Sequence, residues 1–199
     1  METALNNNRS SQTNLPHHAG NFDRTNTANS KESGLVQLVC FKLSQEDFGV
    51  DIHRVQEINR RVTVTRIPQS AAFVEGVIDL RGKIVPVIDL RRRFGFPVIT
   101  EQSKESRIVV VETSKMTVGM IVDEVTEVLR LPTDSIKPTP ELAQSDVEHQ
   151  YILGVTNFPV AKDEATGKTE RLLIVLDMDQ VFSKEEAKTL RELSEDLKS

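Results

Sequence analysis

The chain has 199 residues, 38% of them hydrophobic and 28% charged, with a formal net charge of −5 and a pI near 5.5. That length fits one domain, or two small ones sharing a core, and the acidic balance excludes a protein that grips nucleic acid through a clustered cationic surface. A single cysteine, Cys40, excludes an intramolecular disulfide and a cysteine-built zinc site, and no apolar run approaches the roughly 20 residues of a membrane helix.

Residues 1–34 predict a disordered tail. They hold seven Asn, many Ser and Thr and almost no large apolar side chains, too little to offset the entropy of ordering them. Met1 to Ser10 lacks the basic-then-apolar pattern of a secretory signal, so the expectation is a cytoplasmic protein with no direct membrane insertion. His17 and His18 have no third ligand nearby, and no metal site is predicted from them.

From Leu35 the texture changes. Leu35–Leu43 is a β-branched, partly alternating run followed by the turn-prone Ser44-Gln-Glu-Asp47, a strand and a hairpin. Cys40 lies inside that run and reads as a small buried thiol. Further short strands are expected at Phe48–Asp51, Arg61–Ile67, Gly76–Leu80 and Ile84–Ile88, separated by turn residues as in a small barrel. Between the last two, Gly82 beside Arg81 supplies the positive φ of a tight hairpin. The run Arg91-Arg92-Arg93 reads as a solvated face rather than a phosphate clamp.

The pattern then recurs. Gly49, Ile52, Val55, Glu57, Ile58 and Arg60 match Gly119, Val122, Val125, Glu127, Val128 and Arg130 at a constant offset of 70, and Leu38–Phe41 matches Ile108–Val111 at the same offset. Gly76-Val77 matches Gly154-Val155 at 78, and Ile84–Asp89 matches Leu172–Asp177 at 88. The chain is a duplicated unit whose second copy carries insertions, including ten extra residues in the polar loop Asn157–Arg171. Units of about 70 residues are poor at burying a core alone. The prediction is a mainly β protein: two five-stranded barrels with short helices, spanning 35–182, with halves near 35–105 and 106–182 that pack on each other through a shared apolar layer. Ser183 and Glu186, spaced as a capping box, open a C-terminal helix over 183–199, whose thin stripe of Leu190, Leu193 and Leu197 predicts light docking or fraying.

Nothing in the sequence assembles a catalytic or cofactor site. His53 and His149 are isolated, and there is no GxGxxG, P-loop or GxSxG. Asp89 and Asp177, equivalent under the repeat, read as caps of a short helix after each rather than as paired catalytic carboxylates. Gly49 and Gly119 mark places where a neighbouring backbone comes close. Glu57 with Arg60, and Glu127 with Arg130, suggest local ion pairing along exposed strands.

Several segments together resemble the CheW-type coupling proteins of bacterial chemotaxis. They are Phe48-Gly-Val-Asp-Ile52, Val55-Gln-Glu-Ile58, Val64-Thr-Arg-Ile-Pro68, Phe73–Gly82, Ile84–Arg91, Val118–Val125 and Tyr151–Val155, in order from about Leu35 to Phe182. The resemblance implies two intertwined five-stranded barrels of the SH3-like class and a non-enzymatic adaptor without cofactors. Its implied partners are the cytoplasmic tip of a methyl-accepting chemoreceptor and the regulatory domain of the histidine kinase CheA, in arrays beneath the membrane. It also implies a receptor groove at the junction of the barrels, with Val55, Glu57 and Arg81 facing the receptor. The alternative is a detached kinase regulatory-type domain, or a small-barrel scaffold of a related two-component pathway. A whole kinase would need ATP-binding and phosphotransfer domains for which 199 residues leave no room.

Overall fold

The computed structural model describes residues 34–60, 62–68, 70–97, 103–138, 149–160, 167 and 169–196. The segment before Gly34, expected as a disordered tail, lies outside the described residues, as do His17, His18, Leu197 and most of the loop before Thr169.

Strand β1 (Leu35–Leu43) turns at Ser44, which takes a left-handed φ of 59°, into the antiparallel β2 (Glu46–Asp51), with Phe41 opposite Phe48 and Val39 opposite Val50. A single 3-10 turn, Ile52–Arg54, then carries the chain into β3 (Val55–Asn59) of another sheet. Asp51 caps that turn by accepting the His53 N–H at 2.9 Å. Of the strand expected over Arg61–Ile67, the described residues 62–67 form none. Regular pairing stops at Asn59, and the segment that follows makes one isolated bridge, Thr65 to Val77. Gly76 permits that approach, because a Cβ there would sit 2.1 Å from the Thr65 carbonyl oxygen.

Strands β4 (Val74–Leu80) and β5 (Lys83–Asp89) meet at Arg81-Gly82, with φ of 54° and 80°, the two positive values that a two-residue hairpin loop needs to follow strand twist. Asp89 caps the short helix α1 (Leu90–Phe94) by accepting the N–H groups of Arg91 and Arg92, and Gly95 ends it with a left-handed φ of 79°. The second copy gives β6 (Arg107–Glu112), β7 (Thr117–Val122), β8 (Glu124–Pro132), β9 (Ile152–Pro159) and β10 (Glu170–Leu176). Asp177 accepts the Asp179 N–H at 3.0 Å and so closes a turn rather than a helix.

The sheets run β8-β1-β2-β10-β9 and β3-β6-β7-β5-β4. Each takes two strands from one copy of the repeat and three from the other. The parallel pairs β2·β10 and β5·β7 join the copies at equivalent places. Each sheet encloses its own apolar interior: Leu38, Cys40, Phe158, Leu173 and Val175 in the first, Ile78, Val85, Val87, Ile108, Val110 and Ile121 in the second. A larger cluster lies between them, with Phe41, Phe48 and Val50 from one sheet and Ile88, Val109 and Met120 from the other. Fully burying a side chain of this size contributes about 1.5–3 kcal/mol, so this shared layer does much of the work of holding the barrels together. Cys40 is buried as expected, and desolvation pushes its thiol up to about 12. At Gly49 and Gly119 the close neighbours are side chains rather than backbone, Leu173 and Ile108 respectively.

Helix α2 (Lys184–Asp196) departs from the expectation of light docking. The capping box forms, with the Ser183 N–H donating to Glu186 at 2.9 Å and the Glu186 N–H to the Ser183 hydroxyl at 3.1 Å. Ala187 and Leu190 are buried in the central cluster and Leu193 packs against it. Glu186 also takes both ends of the Arg93 guanidinium, at 3.0 and 3.1 Å. That guanidinium lies 4.7 Å from the Phe73 ring centre and 5.1 Å from that of Tyr151, which are equivalent positions of the two copies. The arginine run is therefore no solvated face. Arg91 pairs with Asp123, Arg92 with Glu75 at 2.9 Å, and Arg93 with Glu186.

Candidate interaction surface

Strand β3 is an outer strand of its sheet, paired only with β6. Its alternating burial, half-buried at Val55, Glu57 and Asn59 and exposed at Gln56 and Ile58, is that of a strand with one face on the protein. Val55 packs against the central cluster from this edge, and Ile58 is one of the exposed large apolar side chains. A bulge between Val55 and Glu57 shifts the register against β6.

Glu57 and Arg81 are 24 residues apart and meet. The Arg81 guanidinium donates to Glu57 Oε2 at 2.9 Å, while Asn59 Nδ2 donates to Oε1 at 2.6 Å. The expected pairing of Glu57 with Arg60 is therefore replaced by a contact from the β4–β5 hairpin, and the carboxylate is oriented from both sides. Arg81 reaches it from a rigid tip, because Asp79 Oδ1 accepts the Gly82 N–H at 2.7 Å and pins the loop. The Arg81 side chain is 86% exposed. Of its five N–H donors one is engaged with Glu57, and the pair itself contributes little to stability at such exposure. Sequence reasoning named Val55, Glu57 and Arg81; it missed Asn59 and Asp79, which fix the geometry. The Asp-x-x-Gly spacing of Asp79 and Gly82 was the readable signal for the second.

On the other sheet, Val125, Glu127 and Val128 of β8 hold the equivalent positions. Val125 packs against the same central cluster and Val128 is exposed. The place of Arg81 is taken there by Pro159, after which the β9–β10 ladder continues with the Val160 N–H donating to the Thr169 carbonyl at 2.9 Å. Among the described residues no group of three His, Cys, Asp or Glu side chains is arranged to hold a metal ion, and no helix is long and apolar enough to cross a membrane.

The family model described as the CheW-like domain matches residues 37–186. The chain is 36% identical over 150 residues to the chemotaxis protein CheW of Klebsiella aerogenes, covering 75% of this chain and 83% of that one. It is 32% identical to the chemotaxis protein CheW of Rhizobium meliloti, covering 81% and 97%. Among solved structures, the scaffolding protein CheW of Thermoanaerobacter tengcongensis superposes with a TM-score of 0.65 at 32% identity, covering 81% of this chain and 96% of that one. With its strand-exchanged barrels and its match over three quarters of its length, this chain belongs to the CheW-like family.

Proposed function

We propose that this protein is a non-enzymatic adaptor of chemotaxis-type signalling, joining the cytoplasmic tip of a chemoreceptor to the regulatory domain of the histidine kinase CheA. Family membership supports the adaptor role. The observation that carries the receptor contact is the Glu57–Arg81 pair, built from two segments, held rigid and yet turned to solvent. A guanidinium with free donors beside the exposed Ile58 is suited to a helical partner that offers carboxylates or carbonyls flanked by apolar side chains.

Arg81→Glu tests this. The variant should melt within about 0.5 kcal/mol of wild type, because an exposed pair adds little. It should still bind the CheA regulatory domain, yet lose at least about 2 kcal/mol of affinity for a receptor-tip fragment, over tenfold, and with it receptor-dependent kinase activation in a reconstituted mixture. Equal affinities would remove Arg81 from the interface. Loss of kinase binding with receptor binding intact would assign this surface to the other partner.

A further inference from the structure

The last turn of α2 does not close down on the sheet beneath it. Between that turn, the start of β5 and the β6–β7 turn lies a slot of about 210 Å³. Leu80, Ile84 and Met116, each half-buried, supply apolar lining, and the exposed side chains of Lys83 and Arg191 supply charge. Gln56 and Leu80 also line it, and they are the chain neighbours of Val55, Glu57 and Arg81. The slot thus borders the same strand and hairpin, on the outward face of β3 that carries Gln56 and Ile58.

Its charge is one-sided. Lys83 has no acidic partner among the described residues. Arg191 has only Glu195 on its own helix, at 3.9 Å. Lys115, in the wall, spends its ammonium on the carbonyls of Asp179 and Phe182 at 2.9 and 2.7 Å, which holds the cation in place without neutralising it. Three cations and one carboxylate around an apolar lining form a site for a segment carrying both apolar and acidic side chains.

We propose that this slot receives an acidic stretch of the receptor tip, its carboxylates meeting Lys83 and Arg191 and an apolar side chain entering over Leu80, Ile84 and Met116, so that α2 forms a wall of the receptor groove. The inference rests on the reading that the Arg81 edge faces the receptor. The competing occupant is the end of this chain itself, residues 197–199.

Full-length protein carrying Lys83→Glu and Arg191→Glu together decides between them. Both side chains are exposed, so the melting temperature should hold; if it falls, the milder Lys83→Gln with Arg191→Gln takes its place. Binding to a receptor-tip fragment is titrated at low and high salt, with CheA regulatory-domain binding and Arg81→Glu run in parallel. The expected result is about tenfold weaker receptor binding at low salt, a shallower salt dependence and unchanged kinase binding. Unaltered affinity and salt dependence, with Arg81→Glu binding lost, would overturn the slot and leave the proposed function standing. Normal binding by Arg81→Glu would instead overturn the orientation given to the receptor edge, and the double variant alone would then decide the slot. A tenfold gain in receptor affinity on deleting residues 197–199 would show that segment competing with the receptor for the slot, and would support the proposal.

Discussion

The two copies of the repeat build the same strut with the charges exchanged. In the β1–β2 turn the Ser44 N–H donates to Asp123 at 2.6 Å, and Asp123 pairs with Arg91 of α1. In the β6–β7 turn the equivalent Ser114 N–H donates to Asp179 at 2.6 Å, and Asp179 pairs with Arg54 at 2.9 Å. Asp179 occupies the place of Arg91, and Arg54 lies one residue from the position equivalent to Asp123. What duplication has kept is a turn amide satisfied by a carboxylate that an arginine holds; which strand end supplies which charge is free. The interior is kept more strictly. Gly76 and Gly154 both admit a bridging carbonyl, from Thr65 and Lys137, and the backbone N–H groups of Asp89 and Asp177 donate to Phe73 and Tyr151, each at 2.8 Å.

Equivalent interiors should fail equally. Val87 and Val175 hold matching positions, each at the centre of one barrel interior and essentially without exposure. Either valine changed to aspartate buries an unpaired carboxylate, at a cost of several kcal/mol, comparable to the whole stability of a small domain. Both variants should be unfolded by circular dichroism at 25 °C. A folded Val175→Asp beside an unfolded Val87→Asp would show that the barrels carry unequal shares of the stability despite their symmetry.

The β character, the duplication and the caps were legible because they rest on local rules: β-branched runs, a fixed offset, an aspartate before a short helix. The exchange of strands between sheets was expected only as intertwining, since pairing depends on which apolar faces meet and no local rule states that. The strand expected at Arg61–Ile67 failed for the same reason. Its residues have strand propensity, but the segment meets the edge of β4 only at the bridge from Thr65 to Val77. Of the surface residues, Val55, Glu57 and Arg81 were named through family resemblance. That Glu57 and Arg81 touch is a tertiary fact invisible to spacing. The arginine run was misread because each partner, Asp123, Glu75 and Glu186, is distant in sequence.

The two struts should differ in strength even though their geometry is shared. The Arg91 side chain is only 12% exposed, and Asp123 meets it through both Nε and an Nη atom; Arg54 is 42% exposed and makes one contact. Asp123→Asn leaves a largely buried guanidinium without a counter-charge and should cost about 2 kcal/mol, whereas Asp179→Asn leaves a hydrated one and should cost under about 1 kcal/mol. Urea unfolding of the two variants measures both values. Equal losses would mean that satisfying the serine N–H, common to both, outweighs the ion pair.

The smallest expected effect is in acid. The Ser114 backbone N–H is the main cause holding the Asp179 carboxyl below its ordinary range, against an opposing effect of burial, with the Ser114 side chain and Arg54 adding to the lowering. A carboxylate whose pKa is lower in the folded state stabilises the fold fully above its unfolded value, about pH 4, and loses that contribution as pH falls through the folded value. Asp47 works in the opposite sense. Burial raises its pKa despite Arg171 at 2.6 Å, so its contribution declines as pH rises through that higher value. The pH dependence of the wild type mixes both signs, and only a difference between variants isolates one. Unfolding free energies of wild type and Asp179→Asn at pH 5, 4 and 3 should converge as the pH falls, because protonation removes from the wild type what the variant already lacks. A gap that stays constant over that range would show Asp179 to be protonated alike in folded and unfolded chains, leaving the second strut held by hydrogen-bond geometry rather than by charge.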